Sequence, residues 1–237
     1  MVQLTPNMPY ITLRVKFVKR AELQYISHLD LVRTMHKIIA RAGLPLWYTM
    51  GFNPKPKMIF AAPLSIGTES ECEFVDIRLV DRPPEEEVLR HLNANMTENM
   101  RAVAAYYPET KLTDLKWLRY RIAVKTEGAS EALAAACAEY LLGDEVLVKK
   151  KSRDKRSEEQ PSVNIRSGIR EIIAGFDGEC IILDAVLSAD ASAFLNPEYV
   201  VSALRGALGI LSSGNLLAEY YSVLRTEAYR EDMTPFD

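Results

Sequence analysis

Cysteine is scarce in this sequence. Cys72, Cys137 and Cys180 are spread over 237 positions, an odd and scattered set that fits reduced thiols in the cytoplasm and not a disulfide framework. The same spacing excludes a self-contained iron–sulfur cluster, which needs clustered thiolates, and a paired-cysteine zinc site. Histidine is equally sparse. His36 and His91 fall on predicted helices without a second ligand at i+4, so they read as structural. There is no H-E-x-x-H, no glycine-spaced phosphate loop and no Ser-His-Asp elbow. Together these absences point away from an enzyme acting alone, and neither a metal nor a cofactor is expected. No uninterrupted apolar run reaches the length of a membrane span. Residues Met1 to Tyr10, with Pro6 and Pro9, lack the apolar core of a signal peptide. The expected setting is therefore cytoplasmic, without a membrane partner. A strong excess of one charge is missing too. The formal net charge of −3 gives no global attraction to polyanions, although a local field depends on where charges sit.

What is present is material for a core. Hydrophobic residues make up 48% and charged residues 26%, ordinary values for a globular protein. The length suits two domains better than one α+β unit. Residues 11–18 alternate, with Ile11, Leu13, Val15 and Phe17 on one side and Arg14 and Lys16 on the other. Residues 21–26 extend that strand after a turn. Ser27 is placed to cap a helix, and Leu31, Met35, Ile38 and Ile39 keep its period until Gly43 and Pro45 stop it. Strands are expected over 58–64, 72–80 and 100–107, and a helix over 85–92 behind Pro83-Pro84. That order, β-α-β-β-α-β, is the ferredoxin-like arrangement.

The second half repeats the order. A strand over 118–125 precedes an Ala-rich helix over 130–142. A hairpin follows, over 163–174 and 180–188, then a helix from Asn196-Pro197-Glu198 and a strand over 216–226. The expected fold is α+β, two tandem ferredoxin-like units. They cover 1–110 and 116–237, the second carrying a charged loop at 149–160.

Three stretches carry a likeness to a known family. They are SHLDLVR (27–33), RAGLPLWYTMGFNPKPKMIFAAPLSIGTES (41–70) and the helix joining them, with weaker matches at VNIRSGI (163–169) and VLRTE (223–227). They resemble the domain of unknown function found beside, or fused to, radical-SAM proteins in bacteria. The resemblance implies a radical-SAM protein as partner and a place in RNA or ribosome metabolism. Where the family usually shows Asn-Pro-His-Pro, this sequence has Lys55, which counts against an acid–base role for that loop.

Several residues are candidates for function. His28 lies in the first turn of a helix, whose positive end favours the neutral, proton-accepting ring. It is the one catalytic candidate, weighed against a capping-region histidine. Asp30, two residues on, does not share its face. Between Arg14 and Lys57 nine basic residues stand against two acidic ones, with Tyr25, Trp47, Tyr48 and Phe52 among them. Cations interleaved with aromatic faces suit single-stranded RNA. The same pattern also describes a solvated charged face over buried rings. The loop Gly51 to Lys57 is a proline-held turn that presents Asn53, Lys55 and Lys57. Arg166 sits in a strand pattern.

The expected RNA- or ligand-binding set is Arg14, Lys16, Tyr25, His28, Arg33, Phe52, Asn53, Lys55, Lys57 and Arg166. Strand 11–18, the start of the first helix and the 51–57 loop are expected to converge on one surface. The leading expectation is an accessory protein that binds tRNA or rRNA and presents it to a radical-SAM partner. The alternatives are a metal-independent endoribonuclease of the CRISPR repeat-processing type and a protein–protein adaptor.

Overall fold

The computed structural model describes residues 9–149 and 162–237. The protein is a mixed α+β chain that divides into two compact units. One holds the residues up to Leu115 together with Pro235–Asp237, and the other holds Lys116–Thr234. No helix among the described residues is long and apolar enough to cross a membrane.

The first unit runs β1 (Ile11–Lys19), α1 (His28–Arg41), β2 (Met58–Phe60), β3 (Thr68–Leu79), α2 (Glu85–Asn93) and β4 (Ala102–Tyr106). Its strands pair antiparallel in the order β4-β1-β3-β2. Alternation on β1 sends Leu13, Val15 and Phe17 into a core with Met35, Ile38 and Ile39 of α1 and Val88 and Leu92 of α2. Each fully buried side chain of this kind contributes about 1.5–3 kcal/mol. Ser27 caps α1 by accepting the Asp30 N–H (3.1 Å). Gly43, at φ +67°, adopts after the helix the left-handed backbone that glycine tolerates best.

Two expected strands differ here. Residues Ala21–Tyr25 form a 3-10 turn and not a strand. Leu23 and Ile26, three apart, both pack on the core, which is the three-residue period of that helix. β2 stops at Phe60 instead of running to residue 64, since Pro63 removes a donor from the ladder.

The second unit runs β5 (Trp117–Lys125), α3 (Glu131–Leu142), β6 (Leu147–Lys149), β7 (Ser162–Asn164), β8 (Ile169–Phe176), β9 (Ile181–Ser188), α4 (Pro197–Leu208) and β10 (Tyr220–Tyr229). The sheet order is β10-β5-β9-β8, all antiparallel, with β6 and β7 forming a separate small pair. The single strand expected over 163–174 is broken by a 3-10 turn at Arg166–Gly168. A Cβ at Gly168 would come within 3.0 Å of Leu195, so the backbone approaches there more closely than most side chains permit. The last strand starts at Tyr220 and not at 216, because Ser213 and Asn215 bond the backbone two residues on and fold the chain into turns. The expected charged loop, from residue 150 onward, lies outside the described residues.

A buried carboxylate anchors this region. Glu219 accepts hydrogen bonds from the Ser213 amide (2.6 Å), the Thr126 hydroxyl (2.6 Å) and the Glu127 amide (3.0 Å). The bonds from Ser213, Thr126 and Glu127 hold its carboxyl down to about 2. A folded-state value below the unfolded one stabilises the protein at neutral pH, and the contribution fades as pH falls from about 4.5 through about 2. We expect Glu219→Gln to melt below the parent at neutral pH. Melting curves across that acid range should show the gap closing.

Candidate nucleic-acid interface

The segment between α1 and β2 is a built finger. At its base Trp47 donates to Arg78 O (2.9 Å), and Lys57 donates to Trp47 O (3.1 Å). Higher up, Thr49 N donates to Lys55 O (2.9 Å), and Lys55 N donates to the Thr49 hydroxyl (3.1 Å). Met50 to Pro54 form the tip. Gly51 sits at φ +131°, where a side chain would be strained. Pro54 and Pro56 fix two further φ angles. Phe52 caps the tip at 113% relative exposure. A phenylalanine with no apolar contact forgoes its burial energy.

Beside the finger stands the outer face of α1. Leu29, Arg33, His36 and Lys37 lie at helical spacings that share one side. Leu29, Arg33 and Lys37 are exposed. His36 is half-buried, and its Nδ1 atom is enclosed without a hydrogen-bond partner. Burial, and after it the charge of Lys55, pulls the His36 pKa below its ordinary value. The charge of Lys55 thus bears on the His36 ring of the helix. Arg33 is held by Asp30 (3.2 Å), an exposed pair with little strength of its own.

The expected residues distribute as follows. Arg33, Phe52, Asn53 and Lys55 belong to the finger and the α1 face. Lys57 is half-buried at the finger base. Tyr25 is 67% exposed on the 3-10 turn before α1, and His28 meets Phe60 edge-on (5.3 Å) at the helix start. Trp47 and Tyr48 are half-buried; Trp47 meets Tyr10 edge-on, and the Arg78 guanidinium lies over both rings.

Arg14 and Lys16 do not join this surface. They alternate with Leu13, Val15 and Phe17, which pack under α1, so they point to the opposite side of β1. Arg14 is fully buried, contrary to the expected exposed strand position. Its guanidinium clasps Asp76 through Nε (2.7 Å) and Nη2 (3.0 Å), and donates to Thr110 Oγ1 (2.8 Å), Thr110 O (3.1 Å) and Asp237 O (2.8 Å). Five bonds match the five donors of an arginine. Arg166 stands in a turn, not a strand, and donates to Gly143 O (3.0 Å) and Ile169 O (2.8 Å), tying the end of α3 to β8.

Sequence reasoning passed over Leu29, counted Lys37 only among the basic residues of its segment, and set His36 aside as structural. Their signal was the polar stripe of α1 opposite Leu31, Met35 and Ile38. Among the described residues no group of three or more His, Cys, Asp and Glu side chains comes together as metal ligands would.

A family model described as "Uncharacterized protein conserved in bacteria (DUF2344)" matches residues 12–197. The chain belongs to that family. No curated protein matches the chain. Among solved structures it is similar to a chain of the crystal structure of a Cbf5-Nop10-Gar1 complex, at 12% identity and a TM-score of 0.49, over 93% of this chain and 50% of the other. The protein thus spans about half the length of that chain.

Proposed function

We propose that this protein is an RNA-binding accessory protein that holds tRNA or rRNA on the finger and α1 face and presents it to a radical-SAM partner. The observation that carries the reading is Phe52, fully exposed on a rigid turn with Lys55 beside it. A base can stack on the ring while phosphates meet Lys55, Lys37 and Arg33, the two contacts that sequence-tolerant single-strand binding needs. Tyr25 offers a second open ring. The radical-SAM partner rests on the resemblance of residues 27–70 to the radical-SAM-linked domain. Both units read as ferredoxin-like. The support is their shared element order and the strand orders β4-β1-β3-β2 and β10-β5-β9-β8, with β6 and β7 as an insertion. In this reading the protein has no catalytic role of its own.

The test is RNA retention as a function of salt. Lys55→Ala with Lys57→Ala should weaken binding and reduce the slope of log affinity against log salt by about 0.7 for each phosphate no longer neutralised. Unchanged binding by a folded double variant would favour the adaptor reading. RNA cleavage by the intact protein without metal, abolished in His28→Ala, would favour the ribonuclease reading.

A further inference from the structure

Arg78 is an arginine held in place without an acceptor. It alternates on β3 with Ile77 and Leu79, both in the core with α1, so its side chain leaves the other side of the sheet. There its guanidinium lies 3.9 Å from the Tyr10 ring centroid and 5.6 Å from that of Trp47. Tyr10 is 44% exposed, and Arg78 and Trp47 are half-buried. Among the described residues the Arg78 side chain donates no hydrogen bond and joins no ion pair; the two rings hold it instead. Arg14 on the neighbouring strand shows the contrast, with all five donors taken inside the fold. The Arg78 amide donates to Lys57 O (3.0 Å). Met58 packs on the core, so Lys57, one residue earlier, shares the Arg78 side of the sheet.

We propose that Arg78, Tyr10 and Trp47 form a guanine-reading subsite for single-stranded RNA, with Lys57 meeting the adjoining phosphate. The inference rests on the RNA-binding reading and adds base selection to it. The finger tip takes any base, because every base offers a face to Phe52. A guanidinium is more selective, being all donors in a fixed planar fork. Guanine presents O6 and N7 as two adjacent acceptors that match the fork. Adenine sets an amino donor beside N7, cytosine presents an amino donor, and uracil offers a single oxygen on that edge, so none of them takes both bonds. A phosphate would also accept from the fork, but it has no use for the rings, whereas a purine stacks on the open face of Tyr10. Resting on two rings fixes the guanidinium before RNA arrives, so less side-chain freedom is lost on binding. The subsite lies at the base of the finger, where Trp47 and Lys57 exchange a backbone bond.

The probe is a short oligouridine whose central base is varied, with fluorescence anisotropy reading its affinity for the intact chain. A central guanosine should bind about fivefold or more tighter than uridine or adenosine. Inosine, which keeps O6 and N7, should match guanosine. Deazaguanosine lacking the N7 acceptor should lose most of the gain. Arg78→Lys keeps the charge without the fork; it should bind all-uridine RNA as the parent does and lose the guanosine preference. Equal binding of guanosine and uridine RNA by the parent overturns the proposal and leaves RNA on the finger standing. Binding of none of these oligonucleotides overturns both. A preference that survives in folded Arg78→Lys overturns the assignment to Arg78. If that variant does not fold, the deaza base decides on the parent protein, and an undiminished preference there overturns the proposal.

Discussion

Arg14→Met should cost about 3–5 kcal/mol of folding stability, the loss typical when one partner of a buried ion pair is removed. The arginine side chain is fully buried and Asp76 is 14% exposed. The substitution would strand that carboxylate and remove the guanidinium donors to Thr110 and to the Asp237 oxygen. Methionine keeps most of the volume, so the loss reports charge and hydrogen bonding more than a cavity. The companion variant, Arg14→Met with Asp76→Leu, should recover much of the loss, because no unpaired charge then remains. Urea denaturation of the three proteins measures both effects. A single variant within about 0.5 kcal/mol of the parent, as at an ordinary surface site, would show that the network contributes little.

Phe52→Ala should have the opposite profile. Its ring touches nothing in the fold, so the change in stability should stay within about 0.5 kcal/mol. RNA affinity should drop by about 1–3 kcal/mol, the usual worth of one base stacked on an aromatic side chain. The salt slope should not move, because the same phosphates stay neutralised. Removing Phe52 thus lowers affinity at constant slope, whereas removing Lys55 and Lys57 lowers both. Filter binding at several salt concentrations distinguishes the two. A Phe52→Ala protein that binds RNA as the parent does would rule out base stacking on this ring.

The sequence carried the local parts of this structure and hid the distant ones. β1, α1, α2, β4, β5, α3 and α4 were legible because period, cap and stop agree within a dozen residues. Ser27, Gly43 and Asn196 are examples. The finger was legible as a turn from Gly51, Pro54 and Pro56. Its meaning was only partly so, since no local rule says that Trp47 packs against Tyr10 and Arg78 while Phe52 stays in water. The position of Arg14 was misread for a plain reason. An arginine alternating with apolar residues looks like the wet side of a strand, and its partners lie 62, 96 and 223 positions away. Arg166 looked like a strand residue because Val163, Ile165 and Ile169 alternate around it, whereas the chain turns there and Asn164 accepts the Arg166 N–H.

RNA held on the finger and the α1 face is tested most directly by photocrosslinking the intact protein to bound RNA and locating the adducts by mass spectrometry. Adducts should fall on Phe52, with Tyr25 or the α1 face adding more, and their yield should decline steeply as salt rises. Adducts confined to residues 116–234, or no salt-dependent adduct at all, would contradict it.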